Sequence, residues 1–267
     1  MQDIESAFTG DVPANYQQRL VPLIFTDYAK DLARRVQVEA PNRVLETACG
    51  TGVVTRELRA CLPDTIALVA TDLSAPMLAA AGKESPTGID FQQADATALP
   101  FSDNEFAAVV CQFGVMFFPD KIMGFVEALR VLQPGGAFVF NTWDSVEHNP
   151  LPAIAADATR QFMPPDSPPF MAAPFSYNNA QQIETELTLA GFTDIHIDAV
   201  PGVARAPSAK NAALAMVLGS PLGLELSTQG KQQEGLAAIE QVIIDRYGSD
   251  AIAAPMQAIV VTARKPT

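Results

Sequence analysis

Three acids stand at the ends of three short apolar runs: Glu46 after Arg43-Val44-Leu45, Asp72 just past residues 66–70, and Asp95 just past residues 89–93. Glu46 opens a turn of small residues, Thr47-Ala48-Cys49-Gly50-Thr51-Gly52. Ala48, Gly50 and Gly52 let a ligand approach the backbone closely. A dinucleotide fingerprint needs a third small residue, and here that position falls on Thr55 counted from Gly50, or on Val53 counted from Ala48. A carboxylate placed before the turn repels a pyrophosphate and attracts a cation. Asp72 can accept both hydroxyls of a ribose. The competing role for Asp72 is a helix N-cap, which Ser74 before Pro76 can supply instead. Asp95 can accept from an exocyclic amine. Gln112 and Phe113 close a fourth apolar run.

These residues need a sheet that brings strand ends to one edge. Residues 11–38 open with helical spacing, Tyr28, Leu32 and Val36 falling on one stripe. Strands then alternate with helices: a strand at 43–46, a helix at 53–60, a strand at 66–70, a helix at 76–81, strands at 89–93 and 106–111, and a helix at 120–132 stopped by Pro134-Gly135-Gly136. Further strands are expected at 137–141, 195–197 and 257–263, with a helix at 181–190. The pattern predicts an α/β fold with a doubly wound sheet, all one domain over residues 1–267. Three stretches lie outside the alternation. They are an N-terminal helical segment over 1–40, a proline-rich stretch over 145–180, and a helical stretch over 202–255. The last two leave the edge where such sheets bind ligands and are expected to be lids.

Composition narrows the function. Seventeen Lys and Arg against thirty Asp and Glu leave a net charge of −13, which opposes binding to nucleic acid or to an anionic membrane surface. Three scattered cysteines and two histidines show no metal-ligand spacing, so no metal is expected. Acid rather than base follows Met1, and no apolar stretch is long enough to span a bilayer, so a cytoplasmic protein is expected.

In order along the chain stand V-L-E-T-A-C-G-T-G, A-T-D-L-S-A-P-M-L, A-D-A-T-A-L-P-F, F-A-A-V-V-C-Q-F-G-V-M-F-F and R-V-L-Q-P-G-G-A-F-V-F. From about Arg43 to Asp144 the chain resembles a class I S-adenosylmethionine-dependent methyltransferase, similar to the small-molecule enzymes of ubiquinone and menaquinone biosynthesis. Glu46 stands where that family usually has Asp, and Ala48 where it usually has the first Gly. The resemblance implies S-adenosyl-L-methionine as cofactor and a Rossmann-like, seven-stranded, mostly parallel sheet with an antiparallel last strand. It places Glu46, Ala48 and Gly50 at the cofactor's amino-acid end and Asp72 on its ribose. Leu73 and Met77 flank the adenine, Asp95 and Ala96 meet its amine, and Gln112 and Phe113 line the methyl-donating side. Tyr16, in the mixed aromatic and apolar segment 15–25, is expected to close over the cofactor.

Such transfer is an in-line displacement, so the protein mainly orients its partners. A hydroxyl acceptor would need a base. His148 leaves the fifth strand at the right edge but reads more readily as an ordinary loop histidine, and His196 as a solvated one; the catalytic residue is left unassigned. The core lacks walls for an acceptor, so the insertions must supply them. A small apolar or aromatic acceptor is expected near Trp143, Phe170, Phe175 and Met216. Two other readings stand beside methyl transfer: a nicotinamide oxidoreductase and a non-catalytic methyltransferase-like binding module. The acceptor atom and the oligomeric state, a homodimer included, are left open.

Overall fold

A computed structural model describes residues 10–164 and 170–267, with no side chains for 170–172. The first nine residues of the 1–40 segment and the side chain of Phe170 therefore lie outside the described residues. Seven strands, β1 (Arg43–Glu46), β2 (Ala67–Asp72), β3 (Ile89–Gln93), β4 (Phe106–Gln112), β5 (Leu132–Trp143), β6 (Thr193–Ala206) and β7 (Ile252–Arg264), form one sheet in the order β3-β2-β1-β4-β5-β7-β6. The first five neighbours pair in parallel, and β7 runs antiparallel to both β5 and β6. This is the expected doubly wound sheet with its last strand reversed. The strands that read as continuous apolar runs are those covered on both faces: Ala108, Val109, Val110 and Cys111 of β4 are fully buried.

Helices cover the two faces. The N-terminal stretch holds α1 (Val12–Asn15), a π-helix over Tyr16–Phe25, and α2 (Thr26–Val38). The sheet crossovers supply α3 (Val53–Cys61), α4 (Ala75–Glu84), α5 (Lys121–Val131) and, before β6, α7 (Ala180–Ala190). The insertions supply α6 (Pro150–Thr159), then α8 (Ala209–Leu218), α9 (Leu222–Thr228) and α10 (Gln232–Tyr247). No helix among the described residues is long and apolar enough to cross a membrane.

Two insertion boundaries move. The sheet claims residues 202–206 and 252–255 from the helical stretch, because β6 and β7 pair from Thr193↔Arg264 as far as Ala206↔Ile252. Pro201 and Gly202 lie inside β6 because it is an edge strand paired only with β7, where a missing donor can face away from the ladder. Pro255 is tolerated similarly, since β5 pairs with β7 only from Ala258 onward. The proline-rich stretch holds a ten-residue helix, because Pro150 and Pro152 fall in its first turn, where their missing N–H groups have no helical partner to lose.

Candidate functional site

At the carboxyl end of β1, Glu46 is buried and accepts a hydrogen bond from Thr55 Oγ1 of α3 at 2.5 Å. Burial pushes its pKa up to about 8, against the opposing pull of the Thr55 bond and the Arg56 charge. The chain then turns through Ala48 (φ 52), Gly50 (φ 56) and Gly52 (φ 80). Alanine in the left-handed region costs roughly 1–2 kcal/mol. Gly114, just past β4, makes the room for that methyl: a Cβ there would stand 2.6 Å from Ala48 Cβ. A Cβ on Gly50 would meet nothing within 4 Å, so the space above the turn is open.

Asp72 closes β2 across this turn. Its Oδ2 accepts the Gly50 N–H at 2.7 Å and its Oδ1 the Ser74 N–H at 2.8 Å. Burial raises its pKa, and those backbone donors counter the rise. Each oxygen keeps a second lone pair, which suits a vicinal diol. Ser74 stands at the N-cap of α4, but its side chain makes no cap bond and its Oγ is buried without a partner. Leu73 beside it is exposed at 46%, an apolar side chain held in the open, whereas Met77 is buried in α4. Asp95 is exposed, its Oδ1 accepting both the N–H and the Oγ1 hydroxyl of Thr97, and Ala96 is half-buried beside it.

Gln112 ends β4 with its Oε1 buried and lacking any hydrogen-bond partner. Glu46 pairs in register with Val110, and Gln112 with Asn141 of β5, so all four lie on one sheet face. Trp143, two residues beyond Asn141, shares that face. Phe113 follows Gln112 at φ 50 and stacks on Trp143 with centroids 3.9 Å apart.

The π-helix lies over this edge. Its Gln17 Oε1 accepts from Thr51 Oγ1 at 2.6 Å and from Arg56 Nη2 at 3.0 Å, tying the helix to the glycine turn. Tyr16, one residue earlier, stacks on Phe25, with centroids 5.3 Å apart. Burial raises the Tyr16 pKa, and the nearby charge of Asp72 raises it further. Between the π-helix and the sheet edge is a cavity of about 100 Å³, walled among others by Tyr16, Phe25, Phe113, Trp143, Phe175 and Met216. Three of the four residues expected around an acceptor thus meet there.

His148 does not join them. Its side chain is 55% exposed, 3.4 Å from Asp144 Oδ2 and 3.3 Å from Ser145 Oγ, in a short helical turn beyond Trp143. His196 is exposed and bonded to Asp194. Sequence reasoning passed over Gln17, Thr55, Arg56 and Asn141. Only the fold brings Gln17 to Arg56 across 39 residues, and no local spacing signals it.

Residues 44–136 match the family model of a methyltransferase domain. That stretch, about a third of the chain, is similar to methyltransferase domains. Among curated relatives, the chain is 31% identical over 140 residues to a demethylmenaquinone methyltransferase of Beutenbergia cavernae, covering 52% of this chain and 57% of that one. It is 37% identical over 110 residues to a demethylmenaquinone methyltransferase of Deinococcus radiodurans, covering 40% and 45%. The chain spans about half the length of these relatives. The matched stretch holds the sheet core and the three strand-end acids; the insertions walling the cavity lie beyond it. The fold extends further: a possible histamine N-methyltransferase of Thermotoga maritima superposes with a TM-score of 0.58 at 15% identity, covering 98% of this chain and all of that one (100%).

The residues at this sheet edge fit the cofactor that the resemblance implies, S-adenosylmethionine. The orphaned Gln112 Oε1 offers an acceptor to an ammonium, the open space over Gly50 admits a ligand against the backbone, and Asp72 has lone pairs free for a diol.

Proposed function

We propose that this protein transfers a methyl group from S-adenosylmethionine to a small apolar or aromatic molecule. One observation carries the reading: Tyr16 walls the apolar cavity and also lies within the field of Asp72, so acceptor space and cofactor edge adjoin. When bound, the cofactor supplies a methyl group on a sulfonium, already activated toward a nucleophile.

The chain's own residues supply position and dryness. Asp72 holds the ribose diol, with Gly50 and Ser74 N–H groups fixing the carboxylate. Leu73 and Met77 flank the adenine, whose amine meets Asp95 and Ala96. Glu46 and the Gln112 amide face the cationic amino-acid end, with Ala48 and Gly50 beneath it. Phe113, Trp143, Phe175 and Met216 keep water from the reacting centre and hold the acceptor in line. Orientation of this kind contributes up to roughly 7–11 kcal/mol to such a displacement. His148, half-exposed and away from the cavity walls, has no part in this reading.

The segment 10–25, the described parts of the proline-rich insertion (145–164 and 173–180) and the insertion over 207–251 act as lids. The activities of the similar demethylmenaquinone methyltransferases point to a quinone-like ring as acceptor, which suits an aromatic-walled cavity. Nucleic acid is not a partner of so acidic a chain, and the cytoplasm is its compartment. Calorimetric titration with S-adenosylhomocysteine and, separately, with NAD tests the cofactor assignment. Binding of the former alone is expected. Binding of NAD alone would replace the methyltransferase reading with the oxidoreductase one.

A further inference from the structure

Phe113 holds an unfavourable backbone conformation at the centre of the aromatic wall. It sits at φ 50, a region that a residue with a Cβ rarely adopts, and its ring lies flat on Trp143 with an interplanar angle of 14°. Something must hold it there. The Phe113 N–H is forked between the Asn141 backbone oxygen at 3.2 Å and the Asn141 side-chain Oδ1 at 2.9 Å. Asn141 is wholly buried in β5, and the Phe113 donor fixes its amide with oxygen inward. That orientation leaves Asn141 Nδ2 buried with no partner. An apolar residue would serve the strand's burial without an orphaned donor. The asparagine is explained by what its oxygen holds.

We infer that Asn141 is a positioning residue for the acceptor cavity. Its Oδ1 locks Phe113 in the left-handed conformation and thereby sets the Phe113–Trp143 stack against which the acceptor ring rests. The inference rests on the proposed methyl acceptor site for its function, but the lock itself is independent of that reading.

The chain has a single tryptophan, so Trp143 reports on the stack without interference. Asn141→Leu removes the side-chain acceptor, whereas Asn141→Asp keeps it. The expected result is a red-shifted Trp143 emission in the leucine variant that the aspartate variant restores. Titration with p-cresol, read by Trp143 emission, should lose at least about tenfold affinity in the leucine variant and less than about threefold in the aspartate variant. Equal emission in unmodified protein and the leucine variant overturns the inference. So does an aspartate variant that folds, by circular dichroism, yet fails to restore the signal.

Should the aspartate variant not fold, hydrogen exchange of the Phe113 amide compared between the unmodified protein and the leucine variant decides, because the backbone bond to Asn141 is common to both. Faster exchange in the leucine variant supports the lock, and equal protection overturns it. If p-cresol fails to bind the unmodified protein while the emission pattern holds, the acceptor cavity is misassigned and the Asn141 lock stands.

Discussion

Glu46 carries the sharpest test, because a buried acid facing a cationic ligand must exchange a proton when that ligand binds. In the free protein its pKa is about 8, raised chiefly by burial. At neutral pH it is therefore mostly protonated. An ammonium placed beside it favours the carboxylate and returns the pKa toward its ordinary value. Binding then releases close to one proton at neutral pH, and affinity rises with pH until about 8. A free-state pKa of 8 and a bound-state value below about 5 give a gain of about fiftyfold between about pH 6 and about pH 8.

The assay is calorimetric titration of S-adenosylhomocysteine across that range, repeated in buffers of different ionisation enthalpy to count protons. Glu46→Gln should remove the pH dependence above that of the ligand's own amine. A pH profile shared by both proteins would refute the reasoning. The same group sets a stability trend in the free protein. Its pKa is raised in the folded state, so its stabilising contribution is full below the unfolded value near 4.5 and is lost as the pH rises through about 8.

Other expectations follow from the same geometry. Asp72→Ala should weaken S-adenosylhomocysteine about ten- to a hundredfold, measured calorimetrically. Gly114→Ala should destabilise the protein by about 1–3 kcal/mol through the contacts with Ala48 and Cys111. Ala48→Gly should recover part of that loss, so a double-mutant cycle read by urea unfolding should show coupling. Limited proteolysis should cut within 10–25 or 219–231, and the cofactor should slow it; indifference to the cofactor would remove those segments as lids. Mobility shifts at physiological salt should show no DNA or RNA complex, given the net charge of −13.

The sheet was legible because parallel strands buried on both faces write themselves as unbroken apolar runs, as Val109-Val110-Cys111 does. The acids at strand ends were legible for the complementary reason: each breaks such a run at the edge that binds ligands. Legibility failed where the governing contact is distant. The sixth strand was expected only at 195–197, with 202–206 given to the helical stretch, and the pairing with β7 is what keeps the chain extended as far as Ala206. The π-helix over Tyr16–Phe25 encloses Pro22, and nothing in its spacing separates it from an ordinary helix. Asn141 showed only as a polar residue ending an apolar run. Its partner is an amide 28 positions away whose conformation no sequence pattern announces.

Methyl transfer itself is tested most directly by incubating the protein with methyl-labelled S-adenosylmethionine and fractionated cell metabolites, then following the label by mass spectrometry. The expected result is label in one apolar, ring-containing metabolite, with S-adenosylhomocysteine formed in equal amount. Binding of the cofactor with no label in any fraction would contradict it and leave a binding module in place of an enzyme.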